Sequence, residues 1–201
     1  MKAGTRPDLS RELVADAGRP GGQDFRPVLV WDLPVRIVHW LMVLCVAGAY
    51  LTAGRDAWQL VHAALGYALG GLAGLRILWG LVGTRHARFA NFVRGPRAVL
   101  HYLLRDMPHG WGKRYAGHSP AGAVAVAALL LLPLLVAASG GAAHAATQAA
   151  WLATLHAWAA HAMLAVIGLH VAGVVFASWR AGENLVRAMV DGRKRGNGDG
   201  E

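Results

Sequence analysis

Four runs of apolar residues, near 36–53, 60–83, 121–139 and 150–179, dominate the chain, with two short connections and one long polar one between them. Each run is close to the roughly 20 helical residues that cross a hydrocarbon layer of about 30 Å. Lipid offers a backbone no water to bond, so a crossing segment must satisfy its own N–H and C=O groups as a helix. The pattern predicts an all-α fold, an integral membrane four-helix bundle. Pro34 stands just ahead of the first run, and Ser119 followed by Pro120 reads as the N-cap and first helical position of the third. Residues 1–30 are polar and rich in Arg, Gly and Asp, and read as a cytoplasmic tail. The four-helix domain is expected over 31–195, with a polar tail at 196–201.

Composition changes the picture only by exclusion. The 201 residues are 55% hydrophobic and 15% charged, too apolar for a soluble domain. A net charge of +9 would suit a nucleic-acid partner, but no recognition motif or aromatic-basic interleaving accompanies it, so none is expected. Its placement is more informative. Of 20 Lys and Arg, six lie up to Arg36, seven in 84–119 and five from Arg180 onward, whereas the connections near 54–59 and 140–149 hold only Arg55. Lys and Arg favour the cytoplasmic side, which predicts a multi-pass protein with both termini and the long connection in the cytoplasm. Within that connection FVRGPRAVLHYLLRDM is open to two readings, a helix lying on the lipid surface or a solvated loop. Cys45, alone in an apolar run, excludes a disulfide and a Cys-based metal site and reads as an inert buried thiol.

The fourth run raises a chemical question, because WLATLHAWAAHAMLAVIGLHVAGVVFASWR carries His156, His161 and His170 through hydrocarbon. At about 100° and 1.5 Å per residue, His156 and His170 share a helix face and stand roughly 21 Å apart along it. His161 points elsewhere. His39 lies near the inner start of the first helix and His62 near the outer start of the second, so depths pair His62 with His156 and His39 with His170. Two imidazoles facing each other, twice over, is what bis-histidine b-type haem requires. Gly66, Gly70 and Gly74 follow His62 at four-residue steps and would let a macrocycle or a helix approach. Arg76, fourteen residues beyond His62, needs an anion inside the membrane; a haem propionate is one candidate, and snorkelling to the inner interface is the other reading. His161 reads as a packing or hydrogen-bonding residue and as the fallback ligand for His156. His86, His101, His109, His118 and His144 are expected in solvated loops. The rival to all of this is a haem-free helical protein, for example a small transporter with proton-handling histidines.

At these residues the chain resembles a known family, the bacterial cytochrome b561 and nickel-iron hydrogenase b-type cytochrome subunits. The resemblance rests on VWDLPVRIVHW, HAALGYALGGLAGLRILWGLVGTRHARF, FVRGPRAVLHYL, GHSPAGA, LHVAGVVFAS and ENLVRAMVDGRKR in the family's order. It implies a dihaem cytochrome b of the bacterial inner membrane, carrying electrons between a redox partner protein and quinone or another cytochrome. The family's ligands fall on His39, His62, His156 and His170, the positions reached by depth. The implied cofactors are two haem b, with ubiquinone as an electron donor or acceptor. The implied partners are lipid, a cytochrome c or periplasmic oxidoreductase subunit, and in some settings a second copy. Where the family's third motif usually reads GHNP, Ser119 stands here, and both residues can cap a helix. The short 54–59 connection departs from relatives that dock a hydrogenase through longer outer loops, which favours a general carrier over a hydrogenase b subunit. Two protein ligands per iron leave no open coordination position, which points to an electron-transfer protein rather than a stand-alone enzyme. The enzymatic alternative is a quinone-reducing oxidoreductase with a small donor such as superoxide.

Overall fold

A computed structural model of the chain describes residues 27–29, 31–83, 120–146 and 149–195. The first helix, α1 (Leu33–Thr52), begins ahead of its apolar run because Asp32 caps it: the Asp32 backbone is extended, Oδ1 accepts from Val35 N at 3.2 Å, and Pro34 occupies the first turn. A 3₁₀ turn (Asp56–Trp58) leads into α2 (Gln59–Val82). The third helix, α3 (Pro120–Ala145), carries Pro133 inside it and runs well past Ser139. The helix continues through the Ser-Gly-Gly run; Ser139 is buried there, and its hydroxyl is satisfied by donating back to Leu135 O at 2.7 Å. His144, expected in a loop, therefore sits exposed in the last turn of α3.

The longest helix is α4 (Ala150–Ala181), ended by Gly182 at φ 63, a left-handed conformation that glycine adopts without a Cβ penalty. A short helix not expected from the pattern, α5 (Leu185–Asp191), follows; Asn184 Oδ1 caps it by accepting from Arg187 N at 2.8 Å. Among the described residues the only β structure is a pair of three-residue strands, β1 (Pro27–Leu29) and β2 (Arg193–Arg195). Beside them Trp31 N donates to Gly192 O at 3.2 Å. The Ser119 cap, the 84–119 segment with His86, His101, His109 and His118, and most of both tails lie outside the described residues.

Four helices are long and apolar enough to cross a membrane, and the chain is a four-helix membrane protein. Large apolar side chains such as Leu44, Leu60, Leu78, Trp158 and Trp179 face outward, as lipid permits and water would not. Packing runs in chain order, α1 on α2, α2 on α3 and α3 on α4, while the α4 backbone stays apart from those of α1 and α2. What joins the four is a central cluster of buried side chains, Cys45, Leu69, Val136, Ala159 and Met163. Cys45 is a buried free thiol, as its apolar setting implied.

Candidate functional site

The α2–α3 and α3–α4 contacts bring His62 and His156 together; this pair is called outer, and His39 with His170 inner, after the orientation expected from the Lys and Arg distribution. Ring centroids of His62 on α2 and His156 on α4 are 6.1 Å apart, with planes inclined by 78°. Each ring is oriented by a main-chain carbonyl of a neighbouring helix: His62 Nδ1 donates to Ala49 O at 2.8 Å, and His156 Nδ1 donates to Val136 O at 3.0 Å. A carbonyl oxygen can only accept, so Nδ1 carries the proton in both rings and each Nε2 keeps its lone pair for a metal. A metal–imidazole bond is about 2 Å long and a ring centre lies roughly 1 Å beyond its nitrogen, so two imidazoles flanking one metal need centroids about 6 Å apart. The outer pair fits that requirement.

Close approach of backbone makes this arrangement possible. A Cβ on Gly140 would stand 3.0 Å from the His156 ring, and one on Gly141 would stand 2.8 Å from the Tyr67 hydroxyl. Gly140 thus makes room for the His156 imidazole and Gly141 for the Tyr67 ring. The stripe noticed on α2 behaves differently at each position. At Gly70 a Cβ would fall 2.7 Å from Ala137 Cβ on α3, so this residue is a helix contact, whereas Gly66 and Gly74 have nothing within 4 Å.

The inner pair is built from α1 and α4. His170 lies within electrostatic reach of His39, and both rings are half-buried. Trp40 packs edge-on against His39, centroids 5.3 Å apart. His39 Nδ1 is buried without a hydrogen-bond partner, the kind of orphan atom that a bound group satisfies. Met163 stands seven residues from both His156 and His170, and Leu69 seven from His62, so the central apolar cluster separates the two histidine levels. Among the described residues no three His, Cys, Asp or Glu side chains gather as a metal cluster; imidazoles are brought together two at a time. That donor set suits a metal whose remaining ligands come from a macrocycle.

Arg76 is buried, 7% exposed, at the inner end of α2. The carboxylate that acts on it electrostatically is Asp32, a partner the sequence pattern had not paired with it. Asp32 is itself fixed twice, by Val35 N and by Trp79 Nε1, which donates to Oδ2 at 3.0 Å. Beside them a cavity of about 210 Å³ is lined by Pro34, Val35, Val38, Leu75, Arg76 and Trp79. His161 is exposed and its Nδ1 donates to Ala157 O of its own helix at 2.7 Å, away from the outer pair. The residues the pattern missed are Asp32, Trp79, Tyr67, Gly140 and Gly141. An acidic residue before Pro34, at the depth of Arg76, was the available signal for the first; the Gly-Gly step at the depth of His156 was the signal for the last two.

A family model described as prokaryotic cytochrome b561 matches residues 30–192. The chain is 27% identical over 182 residues to a probable Ni/Fe-hydrogenase B-type cytochrome subunit of Rhizobium leguminosarum bv. viciae, covering 75% of this chain and 74% of that one. It is 31% identical over 142 residues to a protein of the same description from Bradyrhizobium diazoefficiens, covering 57% of this chain and 56% of that one. No solved structure matches the chain.

Proposed function

The chain belongs to the prokaryotic cytochrome b561 family, and on that premise we propose that it is a dihaem electron carrier, with one haem b held by His62 and His156 and a second by His39 and His170. Its place in a membrane b-type cytochrome family makes electron transfer its work and haem b its cofactor. The two-haem count, the ligand assignment and the electron partners are the proposal. The observation that carries it is the outer pair: two imidazoles at the separation one metal requires, each with Nδ1 tied to a carbonyl and Nε2 left for ligation.

When bound, haem supplies a one-electron iron couple. The residues of the chain do the rest. His62 and His156 are held in one tautomer by Ala49 O and Val136 O, so the ligating nitrogens need no rearrangement. With a pair of imidazoles at each level the protein would supply the ligands beyond the macrocycle, which would favour outer-sphere exchange over small-molecule chemistry at the metal. The Cys45, Leu69, Val136, Ala159 and Met163 cluster excludes water between the levels. Arg76 and Asp32 set the charge near the inner level; Arg76 as a contact of the inner haem is part of the same reading. The Lys and Arg distribution supports an inner-membrane topology with both termini cytoplasmic.

The partner reading is a redox enzyme or cytochrome on the outer side, with quinone on the membrane side. The names of the two rhizobial relatives favour a second version, in which that enzyme is a hydrogenase. Steady-state reduction of the purified chain by added hydrogenase, compared with cytochrome c, separates the two. The primary test is a reduced-minus-oxidised spectrum with haem stoichiometry. Two b-type haems per chain are expected, falling to one in His62→Ala and in His156→Ala and unchanged in His161→Ala. A colourless wild type, or one haem with all four histidines intact, overturns the assignment.

A further inference from the structure

Arg36 is the second cation near the inner level, three residues before His39 and hence on a neighbouring face, one turn closer to the membrane surface. Its side chain is held by α5: Nη2 donates to Val190 O at the end of that helix. Its Nε is buried and has no hydrogen-bond partner. On α1 both Arg36 and His39 carry such an orphan atom, and they are one turn apart. Trp40 links the two: its ring packs edge-on against His39 and lines, with Arg36 and Met189, a groove of about 290 Å³ between α1 and α5. A guanidinium that keeps one buried donor unmet in apolar surroundings is costly unless an anion arrives. A carboxylate is the planar acceptor its fork fits. Arg76, by contrast, already has Asp32 acting on it.

We propose that Arg36 receives a propionate carboxylate of the haem held at the His39–His170 level, and that Arg76 serves mainly the α1–α2 junction through Asp32. This rests on the dihaem reading above. Arg36 is then a cofactor-binding residue, and α5 is the brace that aims it. A positive charge beside the propionate stabilises the reduced, more negative haem, so its loss must lower the inner potential. The same unmet donor could instead take the phosphate of an anionic lipid lying in the groove, and the test separates these sources.

The experiment uses the full chain in detergent with its haem, titrated potentiometrically, the inner component being the one lost in His170→Ala. In Arg36→Gln the reduction equilibrium of the inner haem is expected to fall about tenfold, about 59 mV for one electron, with the outer component little moved. Loss of the inner haem alone supports the proposal equally. Arg36→Lys should restore most of the shift, and Arg76→Gln should move the inner component less than Arg36→Gln does. Two haems with an unshifted inner component in Arg36→Gln overturn it, and co-purified phosphatidylglycerol lost from that variant would then identify lipid as the anion. Should Arg36→Gln lose both haems, the His62→Ala chain, which keeps only the inner level, is reconstituted with haem dimethyl ester. Binding about tenfold weaker than haem supports the carboxylate contact, and equal binding overturns it. A haem-free wild type sinks the dihaem reading along with this one, whereas an unshifted two-haem variant sinks this one alone.

Discussion

At the residue scale, two substitutions isolate what the site demands. Gly140→Ala adds a methyl group 3.0 Å from the His156 ring. Alanine suits a helix better than glycine by about 1 kcal/mol, so α3 itself should not suffer. The ring must shift instead, at a cost of about 1–3 kcal/mol for overpacking. The expected outcome is weaker haem binding at the outer level with the inner level retained, measured by haem titration of the apoprotein. Asp32→Asn tests the opposite end. Asparagine caps a helix as well as aspartate does, so the start of α1 is preserved while the charge that Arg76 feels, and the Oδ2 acceptor of Trp79 Nε1, are removed. Removing a charge that offsets a buried guanidinium destabilises the fold. The variant should unfold at lower denaturant, whereas Arg76→Gln combined with Asp32→Asn should recover part of the loss.

At the scale of elements, the helices divide by what holds them. Gly70 lets α2 meet α3 at Ala137, so Gly70→Val should push the two apart and lower the thermal midpoint, with a cost of about 1–3 kcal/mol. The lengths of α1 and α3 show how local chemistry overrides a hydropathy boundary. Asp32 and Pro34 start α1 before its apolar run, and in α3 the buried Ser139 satisfies its hydroxyl on Leu135 O, so the Ser-Gly-Gly step leaves no polar group unmet within the helix. The existence of all four spans was legible because lipid admits only long apolar helices. The short helix α5 was not, since a seven-residue helix contributes too little periodicity to stand out, and its stability comes from Asn184 and from contact with α4.

At the scale of the whole molecule, α4 is the helix with most to gain from a cofactor. It carries a histidine of each pair, yet of the other three spans it packs its backbone mainly along α3, joining α1 and α2 through side chains of the central cluster. A ligand bound only by the folded state adds stability in proportion to its binding. Removing haem should therefore increase hydrogen exchange in α4 more than in α2, measured by mass spectrometry on loaded and stripped protein. Uniform change across all helices would deny α4 this role. The charge distribution makes a separate prediction about orientation. In a Cys45→Ala background, Ala57→Cys should react with a membrane-impermeant maleimide on intact cells, and Arg187→Cys only after lysis. Both positions are exposed.

The amino-acid sequence alone determined the four membrane helices, the spacing of His39, His62, His156 and His170 along them and the segregation of positive charge. These depend on residue spacing along one helix and on the cost of placing polar groups in hydrocarbon, both of which are properties of single segments. Tertiary structure decided the rest: that His62 and His156 rings stand 6.1 Å apart, that Ala49 and Val136 carbonyls fix their tautomers, that Asp32 acts electrostatically on Arg76, and that Arg36 keeps a buried donor. Each of these is a contact between residues distant in the chain. Such contacts depend on which faces two helices present to each other, and helical periodicity places a residue on a face without saying what that face will meet.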